Sequence, residues 1–174
     1  MPSSAPSQTP GRGNALGRVV SREDLVRASA GARAEGRVVV FTNGCFDIIH
    51  RGHTQYLAEA KALGDILVVG VNTDRSVRVL KGEGRPIVPE DDRAHVVAAL
   101  SSVDLVCLFD EDTPLDLITA AVPGVLVKGA GYARDTIVGA DFVEGHGGRV
   151  VAIEELRGRS TRGIIARILD LDRS

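Results

Sequence analysis

The chain has 174 residues, 44% of them hydrophobic, and a net charge of −2 from 21 basic and 23 acidic side chains. That balance removes any bulk electrostatic case for nucleic acid, and no apolar run reaches the about 18 residues that a membrane span needs. One domain is expected, large enough to bury roughly two-thirds of its unfolded surface. Its apolar residues are mostly Val, Ala, Leu and Ile, which suits parallel strands covered on both faces.

The segment 1–17 is rich in Pro, Ser, Gly and Ala and has no apolar h-region. Residues 1–20 are therefore expected as a disordered leader rather than a signal peptide, with one domain over 21–174. Ser21-Arg22-Glu23-Asp24 reads as the capped start of a helix ending near Gly36. Val38 to Phe41 is the first buried strand, stopping at the polar turn Thr42-Asn43-Gly44. His50 and His53 then flank Gly52 at the start of a helical pattern, Tyr56, Leu57, Ala60 and Leu63, which closes at Gly64.

Strand, glycine turn and helix start together make a phosphate site. Backbone N–H groups point outward there, the positive end of the helix dipole lies behind them, and a glycine admits close approach. Two imidazoles can donate hydrogen bonds to phosphate oxygens and, when protonated, add charge. A lone His at a helix start is ordinarily a surface or capping residue; a pair around a glycine is harder to explain that way. Metal ligation is the alternative, but Asp47 is the only further ligand type at a suitable spacing, so no metal site is assigned.

Asp65 to Val71 is a second buried strand, and Asn72-Thr73-Asp74 brings polar groups to the carboxyl edge of the sheet, where α/β proteins bind ligands. Residues 75–89 form a basic, glycine-bearing segment with Arg78, Lys81 and Arg85, read either as a solvated loop or as an arm reaching phosphates. A helix opens at Pro89-Glu90-Asp91-Asp92-Arg93 with acidic residues in its first turn. Val103 to Phe109 is a third strand, followed by a helix with Thr113 as N-cap and Pro114 at its first position. Val125 to Val127 is the fourth strand, ending at Lys128-Gly129-Ala130-Gly131-Tyr132. A short helix over Gly139 to Gly147 precedes the fifth strand, Arg149 to Ile153. Ser160 and Thr161 then open the last helix, either as a plain cap or as a second anion-binding helix start. The two cysteines, one in the glycine turn and one in an apolar strand, form no disulfide framework, and a cytoplasmic protein is expected.

The run Gly44-Cys45-Phe46-Asp47-Ile48-Ile49-His50-Arg51-Gly52-His53 resembles the signature of the H-x-G-H nucleotidyltransferases, a cytidylyltransferase-like superfamily. Thr-Asn-Gly-Cys-Phe-Asp is most similar to the adenylyltransferases of ADP-heptose synthesis, and the likeness runs from about residue 20 to 170. It implies a Rossmann-like, doubly wound parallel sheet of five strands in the order 3-2-1-4-5. It also implies transfer of an adenylyl group from ATP to D-glycero-D-manno-heptose 1-phosphate, with Mg²⁺ accompanying the nucleotide. The implied catalytic residues are His50, His53 and Lys81. Thr42, Asn43, Gly44, Cys45, Phe46, Asp47, Gly52, Asn72, Asp74, Arg93, Lys128, Gly129, Ser160 and Thr161 would bind the nucleotide. A homodimer is implied too, without nucleic-acid or membrane partners. Relatives carry Asp where Gly131 stands and Thr where Arg162 stands, so contacts at those two places differ. Two other readings stay open: a CTP-dependent cytidylyltransferase acting on glycerol phosphate or another alcohol phosphate, and a nucleotide-binding regulator without turnover.

Overall fold

In a computed structural model, residues 17–131, 134–154 and 156–171 are described. The first strand, β1 (Arg18–Val19), is short and pairs in parallel with a later one. It lies inside the segment expected as leader, so the ordered fold begins before residue 20; residues 1–16 lie outside the described residues. Helix α1 (Arg22–Ala34) starts as anticipated, the Ser21 hydroxyl accepting from the Asp24 N–H at 3.1 Å, with Glu23 and Asp24 at the positive end of its dipole.

Strand β2 (Val39–Gly44) leads through the glycine turn to α2 (Arg51–Lys61), and β3 (Ile66–Asn72) follows. The next element differs from expectation. Residues 74–81, read as part of a loop, form helix α3 (Asp74–Lys81), N-capped by Thr73, whose hydroxyl accepts from the Ser76 N–H. Its basic residues Arg75, Arg78 and Lys81 recur three apart along one side, with Ser76 and Val77 buried on the other, a helical spacing that the reading by charge passed over. Helix α4 (Glu90–Ala98) and strand β4 (Leu105–Phe109) come next. Helix α5 (Leu115–Ala121) is also corrected: Pro114 holds the cap position and no side chain caps the helix, so Thr113 is not the N-cap. Strand β5 (Val125–Gly129), helix α6 (Ala140–Gly145), strand β6 (Arg149–Ile153) and helix α7 (Thr161–Leu171) complete the chain.

All six strands are parallel, in the order β1-β4-β3-β2-β5-β6. The sheet therefore has six strands rather than five; β2 to β6 keep the expected order, and β1 is added at one edge. Because side chains alternate across a strand, the continuous apolar runs serve two cores. Val39, Phe41, Val68, Cys107 and Leu126 pack with α1, α5 and α6 on one face. Val40, Leu67, Val69, Val106 and Val127 pack with α2 and α4 on the other. The chain winds outward from β2 through β3 to β4 and returns through β5 to β6, which puts the switch of direction beside the carboxyl end of β2, where such sheets bind ligands.

Candidate active site

At that switch point a cavity of about 510 Å³ opens, walled by the turn after β2, the start of α2, the ends of β3 and β5, and the start of α7. Asn43, Gly44, Cys45, Phe46, Asp47, His50, Gly52, His53, Asn72, Lys81, Lys128, Gly129, Ser160 and Thr161 all line it.

His50 is the N-cap of α2: its backbone is extended and its Nδ1 accepts from the Gly52 N–H at 3.1 Å. An accepting Nδ1 carries no proton, so the neutral ring holds its hydrogen on Nε2, as a donor. The bond explains the glycine. A Cβ at Gly52 would lie 3.0 Å from both Cε1 and Nδ1 of His50, inside ordinary contact, so a side chain there would displace the capping ring. The His53 ring stacks on His50 with centroids 3.9 Å apart and planes at 24°, while Phe46 covers it at 5.4 Å. Burial, and then the neighbouring His50, lower the His53 pKa to about 4, which keeps it neutral at pH 7. Its Nδ1 is buried without a hydrogen-bond partner, leaving Nε2 to meet a ligand.

Phe46 is left-handed, with φ +48°, a conformation that costs a non-glycine residue about 1 kcal/mol or more. Its ring lies over Gly44, where a Cβ would come within 3.0 Å of Cε2. The Thr161 hydroxyl donates to the Ile48 carbonyl at 3.4 Å, tying α7 to the same turn, and Ser160 Oγ accepts from the Gly163 N–H at 3.1 Å. The start of α7 thus faces the start of α2 across the cavity.

Lys128, at the end of β5, donates to Asn43 Oδ1 at the end of β2. Burial lowers its pKa to about 8, and no carboxylate pairs with it among the described residues. Lys81, Arg159 and Arg162 also line the cavity with no ion pair among the described residues. Asp47 is the one acidic residue on the wall among the described residues and is already engaged, by Arg85 Nε at 2.5 Å and the N–H groups of Ile87 and Val88 at 2.9 and 2.8 Å. Burial would push its carboxyl up, but those N–H groups and the guanidinium outweigh it and hold the pKa below the usual range.

Three residues expected at the nucleotide do not line the cavity. Thr42 is buried, its hydroxyl sharing a 2.8 Å hydrogen bond with the Tyr56 hydroxyl. Arg93 is fully enclosed and bonded to the Cys45 and Val88 carbonyls and to Asp74, which occupies the Asp74 carboxylate as well. Arg93 faces inward, bonded to the turn at Cys45 and to the partly exposed Asp74. Other wall residues escaped the sequence reading: Tyr56, Leu80, Ile137, Val138, Leu156 and Arg159. Arg159, beside the Ser160 helix start, had a nearby signal; Tyr56 appeared only as part of a helical pattern, and the apolar residues carried no signal of a site. Gly131 is exposed with φ +124°, and Tyr132 lies outside the described residues.

Among the described residues, no cluster of three or more His, Cys, Asp or Glu is placed to hold a metal ion, and no helix is long and apolar enough to cross a membrane. The arrangement is a cationic pocket with two imidazole donors and two helix starts, suited to a polyphosphate.

Comparison with known proteins agrees. A cytidylyltransferase-like family model matches residues 41–168. The bifunctional protein HldE of Trichlorobacter lovleyi is 53% identical over 153 residues, covering 88% of this chain and 31% of that protein. Its counterpart from Caulobacter vibrioides is 56% identical over 151 residues, covering 87% and 31%. The chain thus spans about a third of the length of these relatives. Among solved structures, the lipopolysaccharide core biosynthesis protein of Thermoplasma volcanium superposes with a TM-score of 0.57 at 29% identity, over 71% of this chain and all of that one. Pantothenate synthetase from Thermus thermophilus shares the fold, with a TM-score of 0.55 at 15% identity over 84% of this chain and 67% of its own. On its sequence match, its parallel sheet and its paired histidines, the chain belongs to the cytidylyltransferase-like family.

Proposed function

We propose that the chain is a sugar-phosphate adenylyltransferase, joining ATP and D-glycero-D-manno-heptose 1-phosphate to give ADP-heptose and pyrophosphate. The observation that carries it is the stacked His50–His53 pair in a cavity also lined by Lys81, Lys128, Arg159 and Arg162, none of them in an ion pair among the described residues, in a chain whose net charge is −2. The choice of sugar rests on the motif resemblance and on the likeness to HldE and to the lipopolysaccharide core biosynthesis protein.

An oxygen of the sugar phosphate attacks the α-phosphorus, the bond from that phosphorus to the bridging oxygen breaks, and pyrophosphate leaves with the electron pair. The nucleophile is already anionic, so no base is required. Rate enhancement comes from in-line positioning and from donors aimed at developing charge. His50 and His53 supply Nε2 donors at the transferred phosphoryl group; Lys81, Arg159 and the start of α7 hold the leaving pyrophosphate; Lys128 takes an anionic oxygen at the end of β5. The donor set suits a magnesium ion carried in by the nucleotide rather than held by the protein, because Asp47, the one wall carboxylate among the described residues, is tied to Arg85. Such an ion would be held by phosphate oxygens and water and would neutralise charge on the triphosphate. In the same reading the unit works in the cytoplasm as a homodimer, for which the exposed Ile168, Leu169 and Leu171 of α7 offer a surface.

Pyrophosphate release with ATP and heptose 1-phosphate is the test, run beside CTP with glycerol phosphate. Turnover only in the second arm removes the adenylyl and heptose assignment. ATP binding with no release across several sugar phosphates removes catalysis.

A further inference from the structure

We infer that Arg93 is a positioning residue for His53, acting through the backbone of the glycine turn rather than through the substrate; this rests on the proposed role of His53 in the transfer. Arg93 is among the largest wholly buried side chains of the molecule. Its Nη1 donates to the Cys45 carbonyl at 2.5 Å, its Nε to the Val88 carbonyl at 2.9 Å, and its Nη2 to Asp74 Oδ1 at 2.8 Å. Burying a guanidinium is expensive, and an apolar side chain of similar size often serves packing better. A planar fork that reaches two carbonyls and a carboxylate instead sets where those groups lie.

A second link runs the opposite way. Asp47, from the same turn, accepts from the N–H groups of Ile87 and Val88 and from Arg85. Val88 is therefore held at both its N–H and its carbonyl, once from each side. The residue between the two anchors is Phe46, in its left-handed conformation, which persists only where the surroundings over-determine it. Its ring packs against His53 with centroids 5.4 Å apart, beside the stacking contact that His53 makes with His50. Arg93 fixes the carbonyl before Phe46 and Asp47 fixes the residue after it, so the clasp determines how the aromatic ring seats the imidazole.

Arg93→Lys keeps the charge, but one ammonium cannot span three acceptors. The expected result is a roughly 10- to 100-fold loss of kcat with the KM for ATP nearly unchanged, since small misplacements of a reacting group cost that much. In proton NMR spectra the His53 ring signals should also move toward their unstructured positions as the ring-current effect of Phe46 weakens, while those of exposed His95 and His146 stay put. Unchanged kcat with unmoved His53 signals overturns the inference. So does a kcat loss matching only the unfolded fraction. Should Arg93→Lys fail to fold, Asp74→Asn removes one anchor of the guanidinium, and unmoved His53 signals there overturn it equally. The NMR arm needs no turnover, so an inactive wild-type chain would sink the proposed function without deciding this point.

Discussion

At the scale of single residues, the cavity wall mixes groups already engaged, such as Asp47, with cations that have no ion pair among the described residues, such as Lys128. Lys128 is a half-buried cation whose side-chain partner is a neutral amide, so its proton is held weakly, with a pKa of about 8. A bound phosphate favours the charged form and raises that pKa. Nucleotide binding is therefore expected to take up a proton near pH 8 to 9 and to weaken as pH rises through that range. Lys128→Met should abolish the uptake and reduce affinity roughly 10- to 100-fold, the worth of a charged hydrogen bond. Calorimetry in two buffers of different ionisation enthalpy checks this; uptake that persists in the variant removes Lys128 from the site. Residue types and spacing alone brought the His50–Gly52–His53 constellation together as one candidate site, and it does line one cavity. The stacking, and the reason for the glycine, were not, because both depend on where the His50 ring turns to cap α2.

At the scale of elements, α7 stands apart. The other long helices bury an apolar stripe, whereas α7 has no buried residue. An isolated helix of that length is marginal in water, yet its first turn supplies Ser160 and Thr161 to the cavity. If a second copy covers Ile168, Leu169 and Leu171, then Leu169→Glu should halve the mass seen by light scattering and raise the KM for ATP several-fold. A monomeric wild-type chain would remove the homodimer. The sequence showed the start of α7 through Ser160, but helix starts are signalled locally and helix partners are not. Helix α3 was missed although its start was also signalled locally, by Thr73 accepting from the Ser76 N–H and Asp74 in the first turn; a basic stretch beside glycines was read for its charge rather than for its helical period.

At the scale of the whole molecule, the half-buried His53, with its Nδ1 enclosed, makes stability depend on pH. Its pKa is lowered from 6.5 to about 4 by folding. Between those values the unfolded chain binds more protons than the folded one, so stability rises with pH across that window and is lost on acidification. Urea midpoints for the wild-type chain and His53→Asn are expected to diverge at pH 7 relative to pH 4.5, the variant showing the flatter dependence. The carboxyl of Asp47, lowered below 3.8, contributes its loss further into acid and leaves that comparison clean. Parallel slopes for the two proteins would mean that the imidazole is not held neutral by burial.

The alternation of apolar and helical stretches determined the doubly wound parallel sheet, since buried parallel strands need unbroken hydrophobic runs and crossovers need helices. It likewise placed the glycine turn and its histidines at the mouth of the sheet. Tertiary structure alone decided that Arg-Val at residues 18 and 19 extends the sheet as a sixth strand, because two residues carry no pattern until β4 offers them an edge. It also decided that Arg93 turns inward while Lys128 turns toward the cavity. A charged side chain reads the same in sequence whether it meets a ligand or a backbone carbonyl; only the packing around it determines which of those partners is within reach.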